Sequence, residues 1–278
     1  TLANDDNTAV GRLALYAFTG SNATAVGSGA ADAATSATHL TAVGKAAAGA
    51  ITEGLETTTV GSNSFAAVTT GDYNTGLGAY AGFQTTGQRN TFIGRYAGVY
   101  ATTTDDCIAI GASALRGSDS AGDDSDNATG NENIAIGNYA LDAATTATQN
   151  VAIGHNSLTA GTASFSQNTA VGWTTGSALS GRFNTMLGSA AMRYGTSQEH
   201  CVAIGLSALS GDGSTAPTGD YNVAIGNYSL DAATTGNSNV AIGYNTLTAA
   251  TTNHSTVAIG HRAMQLADGG EHYSVAVG

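Results

Sequence analysis

The stretch Asn150-Val151-Ala152-Ile153-Gly154 decides the fold of this chain. The same five-residue phrase returns at Asn222 to Gly226 and Asn239 to Gly243. Its closing glycine occurs sixteen times: Gly11, Gly27, Gly44, Gly61, Gly78, Gly94, Gly111, Gly137, Gly154, Gly172, Gly188, Gly205, Gly226, Gly243, Gly260 and Gly278. The spacing is nearly constant, with longer intervals only before Gly137 and Gly226. A fixed period of roughly 17 residues is the signature of a solenoid, in which each repeat is one coil stacked on its neighbours.

Three positions before the glycine stands a β-branched residue, Thr in the first six copies (Thr8 to Thr91) and mostly Val or Ile later. One position before it is Val, Ile or Leu, and the residue between is usually Ala. That alternation is the period of a strand, so the two aliphatic ranks share one face and Ala the other. We expect the aliphatic ranks to point inward. The glycine ends each strand where the chain must bend, at a positive φ or where a Cβ would clash. A second apolar pair follows, as in Ala114-Leu115, Ala140-Leu141 and Ser157-Leu158, and reads as the other wall of a thin core. The remainder of each unit is Thr, Gly, Asn and Asp, which is turn chemistry. A unit of about 17 residues has a contour near 56 Å at about 3.3 Å per residue, enough for two short strands and two turns. Stacked at about 4.8 Å, sixteen such coils predict a rod of roughly 75 Å with parallel strands.

The fold class that follows is all-β: a parallel β-solenoid, β-roll or β-helix, of about sixteen coils with a period of about 17 residues. The repeat covers nearly the whole chain, so residues 1–278 are expected to form one solenoid domain with loop insertions near 116–131 and 210–220. Glycine contributes 38 of 278 residues and charged residues only 10%, while β-branched residues abound, the opposite of a disordered composition. The net charge of −12 argues against nucleic acid and anionic lipid as partners. No apolar run is long enough for membrane insertion as a helix. A thin coil with small side chains has a weak core, so side-by-side association is expected, with a homotrimer foremost and an end-to-end homopolymer as the alternative. The repeat runs to Gly278 without a cap, which fits a processed chain, a fragment or subunits that cap one another.

Asn7-Thr8-Ala9-Val10-Gly11 and Asn150 to Gly154 resemble the head repeats of trimeric autotransporter adhesins. They resemble still more the longer repeats of phage and phage-like tail-fibre proteins, where such units recur with Thr-Thr-Gly turns like Thr69-Thr70-Gly71, Thr85-Thr86-Gly87 and Thr234-Thr235-Gly236. The resemblance implies a trimeric β-roll on a cell surface or virion, hence an extracellular location and a structural and adhesive role. The adhesin unit is shorter, which puts the shape of the coil here in question. A bacterial surface adhesin or a self-assembling extracellular filament subunit is the alternative context.

Residues 132–161 and 221–250 nearly match, and the preceding coils at Cys107 and Cys201 correspond, so a five-coil block is duplicated. Each cysteine replaces the Asn that opens the phrase. Five coils separate them, roughly 24 Å at 4.8 Å per coil, too far for a disulfide within the chain. A small buried residue in the Asn slot is the preferred reading, ahead of a bond between chains. The Asn residues themselves are expected to stack into an amide ladder.

Candidate receptor-contact residues are Tyr139, Trp173, Tyr228 and Tyr244 beside the glycine row, where rings could stack on sugars or on a partner chain. Asp123, Asp124 and Asp126 in the first insertion join them, since loops that leave a regular solenoid concentrate binding. Asp124-Ser125-Asp126-Asn127-Ala128 fails the calcium-loop template, and no metal or other cofactor is expected. The six histidines have no metal-ligand spacing, and no nucleophile elbow or phosphate loop is present, so no enzyme is expected. Ice binding through the Thr rank is set aside on the expectation that this rank points inward. The partner expected is a cell-surface glycan or protein receptor.

Overall fold

The computed structural model describes residues 6–117, 128–159, 165–211, 213, 216–249, 251–266 and 272–278. Two compact units divide the chain, Thr1–Thr146 and Ala147–Gly278. The first holds β1 (Thr8–Val10), β2 (Thr24–Val26), β3 (Thr41–Val43), β4 (Thr58–Val60), β5 (Thr75–Leu77), β6 (Thr91–Ile93), β7 (Ile108–Ile110) and β8 (Ile134–Ile136). The second holds β9 (Val151–Ile153), β10 (Thr169–Val171), β11 (Thr185–Leu187), β12 (Val202–Ile204), β13 (Val223–Ile225), β14 (Val240–Ile242), β15 (Val257–Ile259) and β16 (Val275–Val277). Within each unit every strand pairs in parallel with its sequence neighbours. The register matches phrase to phrase, as Val223 to Val240 and Ala224 to Ala241. The all-β parallel solenoid is therefore observed, with the period read from the glycines.

Each coil contributes one three-residue strand among the described residues, not two. The rest of the coil turns through residues in the left-handed region. Around Gly226 these are Tyr221 (φ 58°), Tyr228 (φ 59°) and Leu230 (φ 51°). Such a backbone costs a non-glycine residue on the order of 1 kcal/mol or more. Each of the three donates its N–H to an adjoining coil: Tyr221 to Glu199 O, Tyr228 to Leu206 O and Leu230 to Thr246 O, at 2.9–3.0 Å. The corners persist because the stack supplies these bonds.

The closing glycine behaves as the sequence predicts. At Gly111 φ is +136°, and a Cβ would lie 2.6 Å from the carbonyl oxygen of Gly137 in the next coil. Glycine backbones stack directly on one another, and no side chain fits between them.

The direction of the strand faces is the reverse of the expectation. In β2 to β15 the middle residue is buried, and both flanking residues are half-buried or exposed. The interior beneath the strand is narrow and takes Ala. It is filled from the opposite wall by Leu115, Leu141, Leu158, Leu209 and Leu230, each at most 1% exposed, so the second apolar pair is the core wall expected of it. Where a larger group enters, glycine makes room. The buried Phe65 ring fills the space a Cβ would occupy at Gly76 and Gly82, and the Phe92 ring does so at Gly98. The Thr rank thus faces outward, and the ground for setting ice binding aside does not hold.

Candidate functional site

The Asn that opens each phrase makes the internal ladder. Asn168 Oδ1 accepts from both the backbone N–H (3.0 Å) and Nδ2 (3.1 Å) of Asn184, while its own Nδ2 reaches Asn150 Oδ1 at 3.2 Å and Gly181 O at 3.0 Å. Asn222 and Asn239 repeat the arrangement, as do Asn74 and Asn90. The cysteines take the same slot. The Cys107 backbone N–H donates to Asn90 Oδ1 at 3.0 Å, and Asn133 N–H donates to Cys107 Sγ at 3.4 Å. Cys201 sits likewise between Asn184 and Asn222. Both thiols are free and buried, and burial pushes each up to about 11. They are structural groups, as preferred from the sequence.

The predicted contact residues fall in different places. Tyr139 stands in the first unit, 44% exposed and left-handed at φ 58°. Trp173, in the second unit, is 52% exposed, with the Arg193 guanidinium 5.8 Å from its ring centroid. Tyr228 and Tyr244 come together: their centroids are 6.2 Å apart and their planes cross at 86°. Tyr244 also carries His261, stacked at 5.4 Å and 14°. With Asp231, Asn245, Thr248 and Gln265 these two tyrosines line a shallow groove, about 460 Å³ and open to solvent over most of its extent. Asp123, Asp124 and Asp126 lie outside the described residues.

Sequence reasoning missed a second row. Phe183, His200 and Tyr221 each precede the Asn slot, and they stack face to face at 4.8 and 5.0 Å with interplanar angles of 10° and 2°. Their spacing of one period was the available signal. In the first unit the position before the Asn slot holds Arg89 and Asp106, which form a bidentate ion pair at 2.6 and 2.9 Å. The hydrogen bond from Arg89 holds the Asp106 carboxyl below its ordinary range. The Thr turns also carry a ladder: Thr35 Oγ1 donates to Thr52 O and Thr52 Oγ1 to Thr69 O, both at 3.1 Å.

The described parts of the insertions are tied into the coils. Arg116 Nε pairs with Asp142 Oδ1 at 2.9 Å, and Asp220 Oδ1 accepts from Glu199 N at 2.8 Å. Among the described residues no three His, Cys, Asp or Glu side chains gather to hold a metal ion. No helix there is long and apolar enough to cross a membrane. No protein-family model matches the chain, and no curated protein matches its sequence.

Proposed function

We propose that this chain is a non-enzymatic structural and adhesive fibre segment: a rigid β-solenoid that spaces and displays contact residues on a tail fibre or similar receptor-binding appendage. The observation that carries the reading is the outward strand face. Its two ranks hold only Thr, Val, Ile and Leu, with Val10 55%, Leu77 47% and Leu187 49% exposed, and no charge interrupts either rank. Eight strands at about 4.8 Å give each unit a strip roughly 34 Å long. In the second unit Val, Ile and Leu fill both ranks except at Thr169 and Thr185, an apolar surface of the kind that marks an association site, whereas in the first unit β1 to β6 carry Thr in one rank and aliphatic residues in the other. Burial against two further copies would supply the apolar area that an Ala-lined interior lacks. The resemblance to trimeric adhesin heads and tail-fibre repeats points the same way, and supports a virion or cell surface as the location. The reading assigns no catalytic step and no cofactor.

Light scattering on the purified chain tests it. A homotrimer has three times the single-chain mass of 27.4 kDa. The double substitution Ile225→Lys and Ile242→Lys should return the mass to that of one chain while the circular dichroism of the solenoid persists. Open-ended polymers would make the chain a filament subunit instead. A wild-type monomer would overturn the trimer, leave the rank Thr8 to Thr91 facing water, and turn the next experiment to ice adsorption.

A further inference from the structure

We propose that the outward strip of the first unit binds ice. The inference goes beyond the adhesive reading and does not depend on it. Strands β1 to β6 set Thr8, Thr24, Thr41, Thr58, Thr75 and Thr91 in register, beside the aliphatic rank that runs from Val10 to Ile93. Coils repeat at about 4.8 Å, and alternate residues of one strand stand about 6.7 Å apart. Both repeats lie close to those of the water molecules on the prism face of hexagonal ice. A rank of hydroxyls and a rank of methyl groups thus form a two-dimensional array of nearly the ice spacing.

The hydroxyls of this rank are free to take water. Thr8, Thr24, Thr58 and Thr75 are exposed, and Thr41 and Thr91 are half-buried. Among the described residues none of the six hydroxyls bonds to a protein group. The turn threonines of the same unit donate theirs: Thr19 to Thr35 O, Thr35 to Thr52 O, Thr52 to Thr69 O and Thr86 to Thr102 O. The β-branch restricts χ1, so each coil presents its hydroxyl and methyl at fixed places. No charge interrupts either rank. Charges stand at the rims, with Asp6, Glu56 and Arg89 before the Asn slot and Arg12, Lys45 and Arg95 after the glycine. The ice lattice offers a hydrogen bond at every step and no place for an ion, which suits ranks of this kind.

Neither the fold nor association asks for hydroxyls here. In β7 Ile108 pairs with Thr91 in the same register, and Ile134 follows it in β8, so the slot takes an aliphatic residue without loss of the coil. Burying the rank against the aliphatic residues of another copy would strip each hydroxyl of water and give it no partner. Association falls instead to the second unit, whose strip is aliphatic in both ranks but for Thr169 and Thr185. A flat, periodic rank of free hydroxyls fits a flat, periodic partner, and frozen water supplies both the repeat and the bonds.

The test is uptake of the purified 278-residue chain into slowly growing ice, with thermal hysteresis measured on the same preparation. The ice should hold at least fivefold more of the chain than of an albumin control at equal concentration. Thr41→Lys/Thr58→Lys should bring uptake down to the control, with melting temperature and circular dichroism unchanged, since both side chains point outward. Thr41→Val/Thr58→Val keeps the shape of the strip, removes only hydroxyls, and should lower uptake at least twofold. This pair decides alone if the lysines disturb the coil. Ile225→Lys/Ile242→Lys in the second unit should leave uptake as it is. Wild-type uptake no greater than the control, indifference to the Thr41 and Thr58 variants, or uptake that changes only with the second-unit pair would each overturn the proposal. Mass measured on the same preparation separates the two readings. A trimer that ice excludes sinks the ice strip alone, and a monomer that ice takes up through Thr58 sinks the trimer alone.

Discussion

A buried amide in the Asn slot answers to two coils at once, and this sets what a single substitution costs. Removing the Asn168 side chain leaves Gly181 O and the backbone and side-chain N–H groups of Asn184 short of partners. Buried groups stranded in this way cost about 1–3 kcal/mol each, less whatever the site recovers by relaxing. Asn168→Ala should therefore lower stability by about 2–4 kcal/mol in urea unfolding, and Asn168→Cys by clearly less. The chain itself uses Cys in this slot twice, where sulfur accepts the next backbone N–H. Equal losses for the two variants would show that acceptance in the slot is immaterial. The native thiols add a pH dependence. Burial raises both to about 11, whereas an exposed thiol ionises from about 8.5. The unfolded chain then loses protons first, so the thiols' contribution is complete below about pH 8.5 and is lost as pH rises through 11. At pH 10 the loss amounts to about 1–2 kcal/mol per cysteine. Unfolding at pH 8 and pH 10 should show a steeper fall for the wild type than for Cys107→Ala/Cys201→Ala. Identical slopes would contradict it.

At the scale of the element, much was legible and the rest had a physical reason to hide. Every strand lies on the three residues before a phrase glycine, because alternation and glycine spacing are local signals that burial on either face leaves intact. Which face is inside was not local. Val223 and Ile225 look like core by composition, yet the inward position belongs to Ala224, because Leu230 from the facing turn already fills the interior. Leu and Tyr in left-handed corners contradict their own preferences, and only hydrogen bonds one coil away, such as Leu230 N–H to Thr246 O, hold them there. The candidate site divides similarly. Tyr228 and Tyr244 could be picked out beside their glycines. Asp231 and Gln265 could not, because they enter the groove from turns two coils apart, brought near only by stacking.

Within each unit, cohesion runs between neighbours in sequence. Strands there pair with the strand before and the strand after, and the backbone bonds outside them either close a turn within a coil or reach the adjoining one. Stability is then a sum of coil and nearest-neighbour terms, and damage spreads only as far as those terms carry it. Phe65 offers a place to test this. Its ring is fully buried and lies 6.2 Å from Phe92, and Phe65→Ala should remove about 3–5 kcal/mol from the surrounding coils. The single tryptophan, Trp173, stands six phrase glycines further on and reports its own surroundings alone. Far-ultraviolet circular dichroism, which sees every coil, should show an earlier transition appearing in the variant. The fluorescence transition of Trp173 should keep its wild-type midpoint. If both signals move together by the same amount, the chain unfolds as one cooperative body, and the nearest-neighbour description of its stability is wrong.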